Sequence, residues 1–547
     1  MFDAADLAAI QDEGARRAIR ALLNLVEELR AENQSLRAEV QRQRDEIARL
    51  KGEQGQPDVK PAAKADLSSE AERRQPRAWR KGAKRDQLTI DRTERLRVER
   101  ASLPADAEFK GYQRVVVQDL VLRRDTVCFE KEKWYARSSG RTYLAPLPAG
   151  YQGQFGPGLR ALALVLAYGG HMSEAKILEV VRGAGVRISA GHLSHLLSEQ
   201  REPFDAEAAA VLEAGLRSSA WQHLDDTETR VNGQPRHCQI LCNPLYSAAQ
   251  TTPKKDRLTI IDVLRGGAAR VYRRTAEVEQ ALTEGGDSPP LRRMLTQLPW
   301  EQDLDETTLQ ELLDAARCAS RLGTQQQARL REALAIAAYR ARTDGPVVKL
   351  LVCDDAPQFR AVTEELALCW VHEGRHYKKL TPWMPLHRAL LADFLTRFWG
   401  YYGALLAYRQ QPSAPEARRL ETAFDTLFAT ETGYRLLDER IALTRAKKAS
   451  LLRVLAHPEI PLHNNPAELG ARQRVRQRDV SFGPRSEAGC QAWDTFLTLS
   501  ATARKLGVSF SQYVQDRLTQ SHQIPPLAQL IQERAPTLRL GASWAGP

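Results

Sequence analysis

The chain has 547 residues, a formal net charge of +11 and seven scattered cysteines, with a pI near 9.3. That length exceeds what one simple core organises, and the charge points to a polyanionic partner, most simply nucleic acid. Cys128, Cys238, Cys242, Cys318, Cys353, Cys369 and Cys490 argue against a disulfide framework, the acidic start MFDAADLAAIQDEG lacks the order of a signal peptide, and no apolar run reaches the length of a membrane span, so a soluble cytoplasmic chain of several domains is expected.

A heptad pattern runs from about Ile19 to Leu50. Leu22, Leu29, Leu36 and Leu50 fall on d positions with Gln43 the one polar d, and Val26, Asn33, Val40 and Ile47 fall on a positions. β-Branched residues at a with leucine at d favour two parallel strands, and one asparagine at a fixes register. A dimeric coiled coil over residues 1–52 is therefore predicted, against the alternative of a solitary amphipathic helix packed on its own protein. Residues 53–100 have the Gly, Pro and polar content of a flexible linker. Within it Arg73, Arg74, Arg77, Arg80, Lys81, Lys84 and Arg85 surround Trp79, which suits phosphates with an aromatic to stack, or a plain solvated charge run.

Residues 101–155 read as a small β unit, in YQRVVVQDLVL, TVCFEKEKWYAR and RTYLAPLP. Over 156–200 the period turns helical, and Gly169-Gly170 and Gly183 to Gly185 divide it into three helices, the last capped by Ser189. Such a unit is compatible with helix-turn-helix DNA binding and equally with a helical connector. From Ser218 apolar strands alternate with helices, predicting an α/β core over 201–520 with strands at SAWQHLDD, RHCQILCN, RLTIIDVL, VVKLLVCDD and LALCWVH. Segments near 270–343 and 380–455 are too long for loops and are read as helical insertions. The tail, 521–547, is expected to be peripheral.

Two predicted strands end on acidic doublets, Asp225-Asp226 and Asp354-Asp355, at the carboxyl ends where open α/β sheets gather functional groups. A third acid, Glu468, lies in LHNNPAELGAR. Alone it reads as a capping box: Asn465 as N-cap, Pro466 at N1, Glu468 at N3 reaching back to a backbone N–H, with Arg472 available to pair four residues on. Taken together, Asp225, Asp354 and Glu468 suit phosphoryl transfer with two Mg²⁺ ions, which are hard and prefer oxygen ligands.

HLDDTETRVNGQ resembles the His-x-Asp-acid-Thr motif of bacterial insertion-sequence transposases of the IS-sixty-six (IS66) type. LLVCDDAPQF followed by LCWVHEGRHYKKL is similar to that family's second-aspartate strand and its Cys-Trp-x-His-x-x-Arg segment. HNNPAELGAR is similar to its Asp-Asn-Asn-x-Ala-Glu-Arg-x-x-Arg signature, although His463 and Leu469 depart from it. The resemblance covers roughly residues 155–520. It implies a ribonuclease-H-like core with a DDE triad of Asp225, Asp354 and Glu468, holding two Mg²⁺ (or Mn²⁺) ions, with Asp226 and Asp355 as fallbacks. By analogy Asp225 and Asp354 would hold one ion, Asp225 and Glu468 the other. His223, Cys369, His372, Arg375, Asn464, Asn465 and Arg472 match motif positions without an assigned ligand role. Implied partners are double-stranded DNA (transposon ends and target), a second or further copy of the chain, and accessory transposition proteins, in a bacterial cytoplasm or nucleoid. The family's Cys-rich segment is reduced here to Cys128, so no zinc finger is predicted. DNA contact is expected from Arg77, Trp79, Arg80, Lys81, Lys84 and Arg85, and from Arg472, Arg474 and Arg476.

Cys369, His372 and His376, or Cys238 with Cys242, have a zinc-like look, against the commoner outcome of buried cysteine. The alternative to strand cleavage and transfer is an inactive, domesticated dimeric DNA-binding protein. A glycosidase built on the paired acids is a third reading, opposed by the basic charge and the heptads.

Overall fold

The computed structural model describes residues 4–51, 89–104, 106–151, 153–284, 289–317 and 323–544. The basic linker residues Arg73, Arg74, Arg77, Trp79, Arg80, Lys81, Lys84 and Arg85 lie outside the described residues.

One 38-residue helix, Glu13–Leu50, carries the heptads. Its b, c, e and f face docks on the body: Leu23 is buried with Met384 and Leu386, and Asn24 Nδ2 donates to Gly433 O (3.0 Å). Glu27 accepts from the N–H groups of Trp383 (2.9 Å) and Met384 (2.7 Å), so its carboxylate caps the positive end of the Pro385–Gln410 helix. The a and d side chains stay exposed, Leu29 at 55% and Leu36 at 57%. Docking on its own protein thus uses one face of this helix and leaves the heptad stripe open.

The expected β unit is smaller than predicted. Among the described residues it consists of one hairpin, β1 (Lys133–Ala136) with β2 (Arg141–Leu144). The run around Val115, Val117, Leu120 and Val121 is exposed and without strand: its alternation has no facing surface on which to bury one side. Three helices follow, Pro157–Leu164, Glu174–Gly183 and Ala190–Ser198. Ser173 and Ser189 cap the second and third by accepting from Lys176 N–H (3.4 Å) and His192 N–H (3.1 Å).

The core is a mixed five-stranded sheet in the order β5-β4-β3-β8-β9. Its strands are β3 (Trp221–Val231), β4 (Gln234–Cys242), β5 (Ser247–Thr252), β8 (Leu350–Cys353) and β9 (Glu365–Leu368). β4 alone runs antiparallel to the others. Between β5 and β8 lie helices and a short pair, β6 (Tyr272–Arg273) with β7 (Asp303–Leu304). β8 is fully buried, as a strand flanked by parallel neighbours and covered on both faces must be.

Two strand assignments are corrected. RLTIIDVL is a helix, Arg257–Leu264, whose N-cap Asp256 accepts from Thr259 N–H (2.9 Å). Five of its eight residues are buried, which gives an apolar run that reads like a strand. The third strand is instead SAAQTT, a poor strand sequence held by its neighbours. On its free edge the N–H groups of Ser247, Ala249 and Thr251 donate to Thr502 (3.2 Å), Thr498 (3.0 Å) and Asp494 (2.6 Å) of the Glu487–Lys505 helix, so side chains complete an edge that would otherwise be open. LALCWVH also splits: β9 stops at Leu368, and Cys369 begins a helix, Trp370–Lys378. The tail is not peripheral. Leu527 and Ile531 are fully buried, and Trp544 stacks on His457 with centroids 3.9 Å apart. No described helix is long and apolar enough to cross a membrane.

Candidate active site

β3 is longer than the sequence suggested, so Asp225 and Asp226 sit in its middle rather than at its end. What ends there is the parallel pairing: Trp221 faces Leu350 and His223 faces Val352, and the same register continued two residues brings Asp225 opposite Asp354. Beyond this point β3 continues to Val231 paired with β4.

Strand alternation separates the first doublet. Asp225 lies opposite Ile240, on the face where Cys238, Ile240 and Cys242 pack against Ala467, Ala471 and Leu497. Asp226 belongs to the other face, where it accepts from Gln358 Nε2 (3.0 Å) and Lys255 Nζ (3.4 Å). In the second doublet Asp355 is held by Arg360 (2.7 Å) and Lys447 (2.7 Å). Burial pushes its carboxyl up, but those two cations outweigh it and hold it below the usual range. Both fallback acids therefore carry cations of their own, whereas Asp225 and Asp354 make no ion pair among the described residues.

The Asn465–Ser481 helix delivers Glu468. It lies so close to the sheet that a Cβ on Gly470 would come within 2.7 Å of the Ile240 side chain, and only glycine permits that approach. The capping box is not formed. The N-cap is Asn464, one residue earlier than predicted, and its side chain does not cap. Instead Asn464 Oδ1 accepts from His223 Nδ1 (3.0 Å) and Asn464 Nδ2 donates to Leu224 O (2.8 Å), tying the helix start to β3.

Glu468 does not turn back to its own backbone. Its two oxygens accept from Arg375 Nη1 (3.2 Å) and Nη2 (2.8 Å), a bidentate charge-assisted pair. Arg375 belongs to the Trp370–Lys378 helix, whose start is stitched to the Glu468 segment. Trp370 N–H donates to Leu462 O (2.9 Å), and Cys369 Sγ accepts from the N–H groups of His372 (3.4 Å) and Asn464 (3.2 Å). Cys369 is thus a buried structural thiol, pushed up to about 11 by burial. His372 and His376 meet edge to face, 4.9 Å between centroids.

The electrostatics mark one cluster. Burial, then Asp354, then Glu468 raise the Asp225 carboxyl to about 7. Burial also raises Asp354, partly offset by the Ala356 N–H and by His372. A hard cation would relieve the repulsion between such buried carboxylates, and an all-oxygen donor set suits Mg²⁺ or Mn²⁺. In the arrangement seen, with both Glu468 oxygens on Arg375, no group of three His, Cys, Asp or Glu among the described residues is close enough to hold one ion.

Of the basic residues predicted on this helix, Arg472 and Arg476 are exposed. Arg474 is not: it is fully buried, paired with Asp494 (2.8 Å) and lying over the Trp493 ring, so it braces the helix against the core. Arg375 and Lys447 are the residues to which the sequence assigned no role. Arg375 was visible as the last member of Cys-Trp-x-His-x-x-Arg, whereas nothing near Lys447 signals its bridge between Asp355 and Glu373.

The sequence model of the Transposase IS66 family matches residues 305–492, a stretch that includes Asp354, Arg375 and Glu468. Over 336 residues the chain is 33% identical to "Uncharacterized protein y4jO" of Sinorhizobium fredii (strain NBRC 101917 / NGR234), covering 59% of this chain and 100% of that protein. The chain belongs to the IS66 transposase family. No solved structure matches it. The second-acid strand, the Arg375 segment and the Glu468 signature fall inside the matched stretch, and Asp225 lies outside it.

Proposed function

We propose that this chain is a transposase that cleaves DNA at the terminal inverted repeats of an insertion sequence and transfers the freed strand ends. What supports the reading is that Asp354 and Glu468, spread with Asp225 over more than two hundred residues of sequence, both act on the buried Asp225 carboxyl, near the end of the parallel pairing of β3 and β8. The strand order, with only the second strand antiparallel, supports a ribonuclease-H-like core. Two Mg²⁺ or Mn²⁺ ions, when bound, supply charge neutralisation at the attacking and leaving oxygens of the displaced phosphate. Asp225, the carboxyl on which both others act, would be shared between the two ions, with Asp354 and Glu468 each holding one. Burial lowers His372 from the ordinary imidazole range, against the opposite pull of Asp354 and Glu468. Arg472 and Arg476 lie one and two turns beyond Glu468, facing solvent, where phosphates of the bound strand would find them. The open heptad stripe of Leu22, Val26, Leu29, Asn33, Leu36, Val40, Ile47 and Leu50 supports pairing with a second copy.

One observation favours the domesticated, DNA-binding alternative: the closed Arg375–Glu468 pair leaves no three-ligand group. A single experiment separates the two readings. Purified protein is incubated with Mg²⁺ or Mn²⁺ and labelled DNA bearing the element's ends. Strand cleavage is expected, abolished in Asp225→Asn, Asp354→Asn and Glu468→Gln while DNA binding persists. Full activity in any one variant removes that residue from the triad, and binding without nicking under every metal condition selects the alternative.

A further inference from the structure

We propose that Arg375 is a positioning residue that acts as the resident counter-cation of Glu468, holding its carboxylate in the metal-free chain and competing with the divalent cation for it. This rests on the triad reading above and adds the device that keeps the third acid in reserve.

Four observations carry it. Both guanidinium nitrogens that face Glu468 engage both of its oxygens, at 3.2 and 2.8 Å, so neither oxygen is left uncommitted. The pair is half-buried, with side-chain exposures of 27% and 18%, and stands inside the acid cluster, since Asp225 is among the charges acting on Arg375. Neighbouring carboxylates have other cations: Asp226 has Lys255, Asp355 has Arg360 and Lys447, and Glu373 has Arg440 and Lys447. The Arg375 guanidinium is thus dedicated to Glu468, with no other hydrogen bond of its own among the described residues. Finally, its backbone is fixed. Trp370 N–H on Leu462 and the two N–H groups on Cys369 lock its helix to the Glu468 segment, so release requires only rotation about side-chain bonds.

The consequence is a population effect. A carboxylate that is free in only a fraction of molecules shows an affinity reduced by that fraction, and a pair closed about nine-tenths of the time weakens apparent cation binding roughly tenfold. An ion pair remote from the acid cluster would have no such effect on cation affinity.

The test is Mn²⁺ titration of the full chain without DNA, with free Mn²⁺ read by electron paramagnetic resonance. The site of interest is the one lost in Glu468→Gln. Arg375→Gln is expected to tighten that site roughly tenfold, and Arg375→Lys, which keeps the charge but not the fork, to tighten it by less. Adding Glu468→Gln to Arg375→Gln should erase the gain. Thermal melts check folding, and Arg375→Lys carries the test where Arg375→Gln is poorly folded. Unchanged or weakened Mn²⁺ affinity in the folded arginine variants overturns the proposal. If Glu468→Gln itself leaves Mn²⁺ binding unaltered, the triad reading fails instead, and the two failures are distinct.

Discussion

Asp225 is the most constrained residue of the site, and its burial has a measurable cost. Its carboxyl is raised from 3.8 to about 7, first by burial, then by Asp354 and Glu468. The folded chain therefore keeps a proton that the unfolded chain releases near pH 4. As pH rises through this window the group's contribution to stability falls, and above about pH 7 the full penalty of a buried, repelled charge remains. Metal-free protein should thus melt lower at pH 8 than at pH 5, and Asp225→Asn should flatten that dependence. At pH 8 without metal the variant should be more stable than the parent by roughly 1–3 kcal/mol, measured by thermal melts in chelator. A variant that melts below the parent at pH 8 would contradict the assigned environment.

At the scale of elements, the Glu468 helix is held by three contacts that have little to do with its own propensity. Gly470 lets it approach Ile240, Asn464 ties its start to β3, and Arg474 anchors it through Asp494. Arg474→Ala would leave the half-buried Asp494 carboxylate without its cation, which costs about 3 kcal/mol in chemical denaturation. Arg472→Ala and Arg476→Ala should change stability by less than about 0.5 kcal/mol and weaken DNA binding instead. A stable Arg474→Ala would mean that the ion pair is not what anchors the helix.

These contacts also explain what was legible in the sequence. The acidic doublets, the apolar β8 and the Ser189 cap depend on neighbours a few residues away and could be read directly. SAAQTT could not, because its strand character comes from β4 on one side and from Thr498, Thr502 and Asp494 on the other. The RLTIIDVL helix was concealed because burial of most of its residues removes the period that separates helix from strand. At the Glu468 turn the motif was plain but its local physics was misjudged. Asn464 is drawn into β3 and Glu468 to Arg375, and tertiary partners outcompeted the capping box.

At the scale of the whole molecule, the Glu13–Leu50 helix connects two kinds of contact. One face, through Asn24, Glu27 and Leu23, belongs to the body. The opposite stripe is apolar, heptad-spaced and exposed, so pairing of two copies would bring two acid clusters into one assembly. Leu29→Lys with Leu36→Lys is expected to shift the sedimenting species from dimer to monomer while the melting of the body is retained. A parent chain that sediments as a monomer would refute pairing through this stripe.

Asp225, Asp354 and Glu468, far apart in sequence, are proposed to share one cation site. The most direct test of that sharing replaces Mg²⁺ with Fe²⁺ and, with ascorbate and peroxide, maps where the polypeptide is cut by radicals generated at the bound iron. Three cut clusters are expected, near residues 225, 354 and 468, all suppressed by excess Mg²⁺ and all lost in Asp225→Asn. Cuts confined to one segment, or falling elsewhere in the chain, would contradict a shared site.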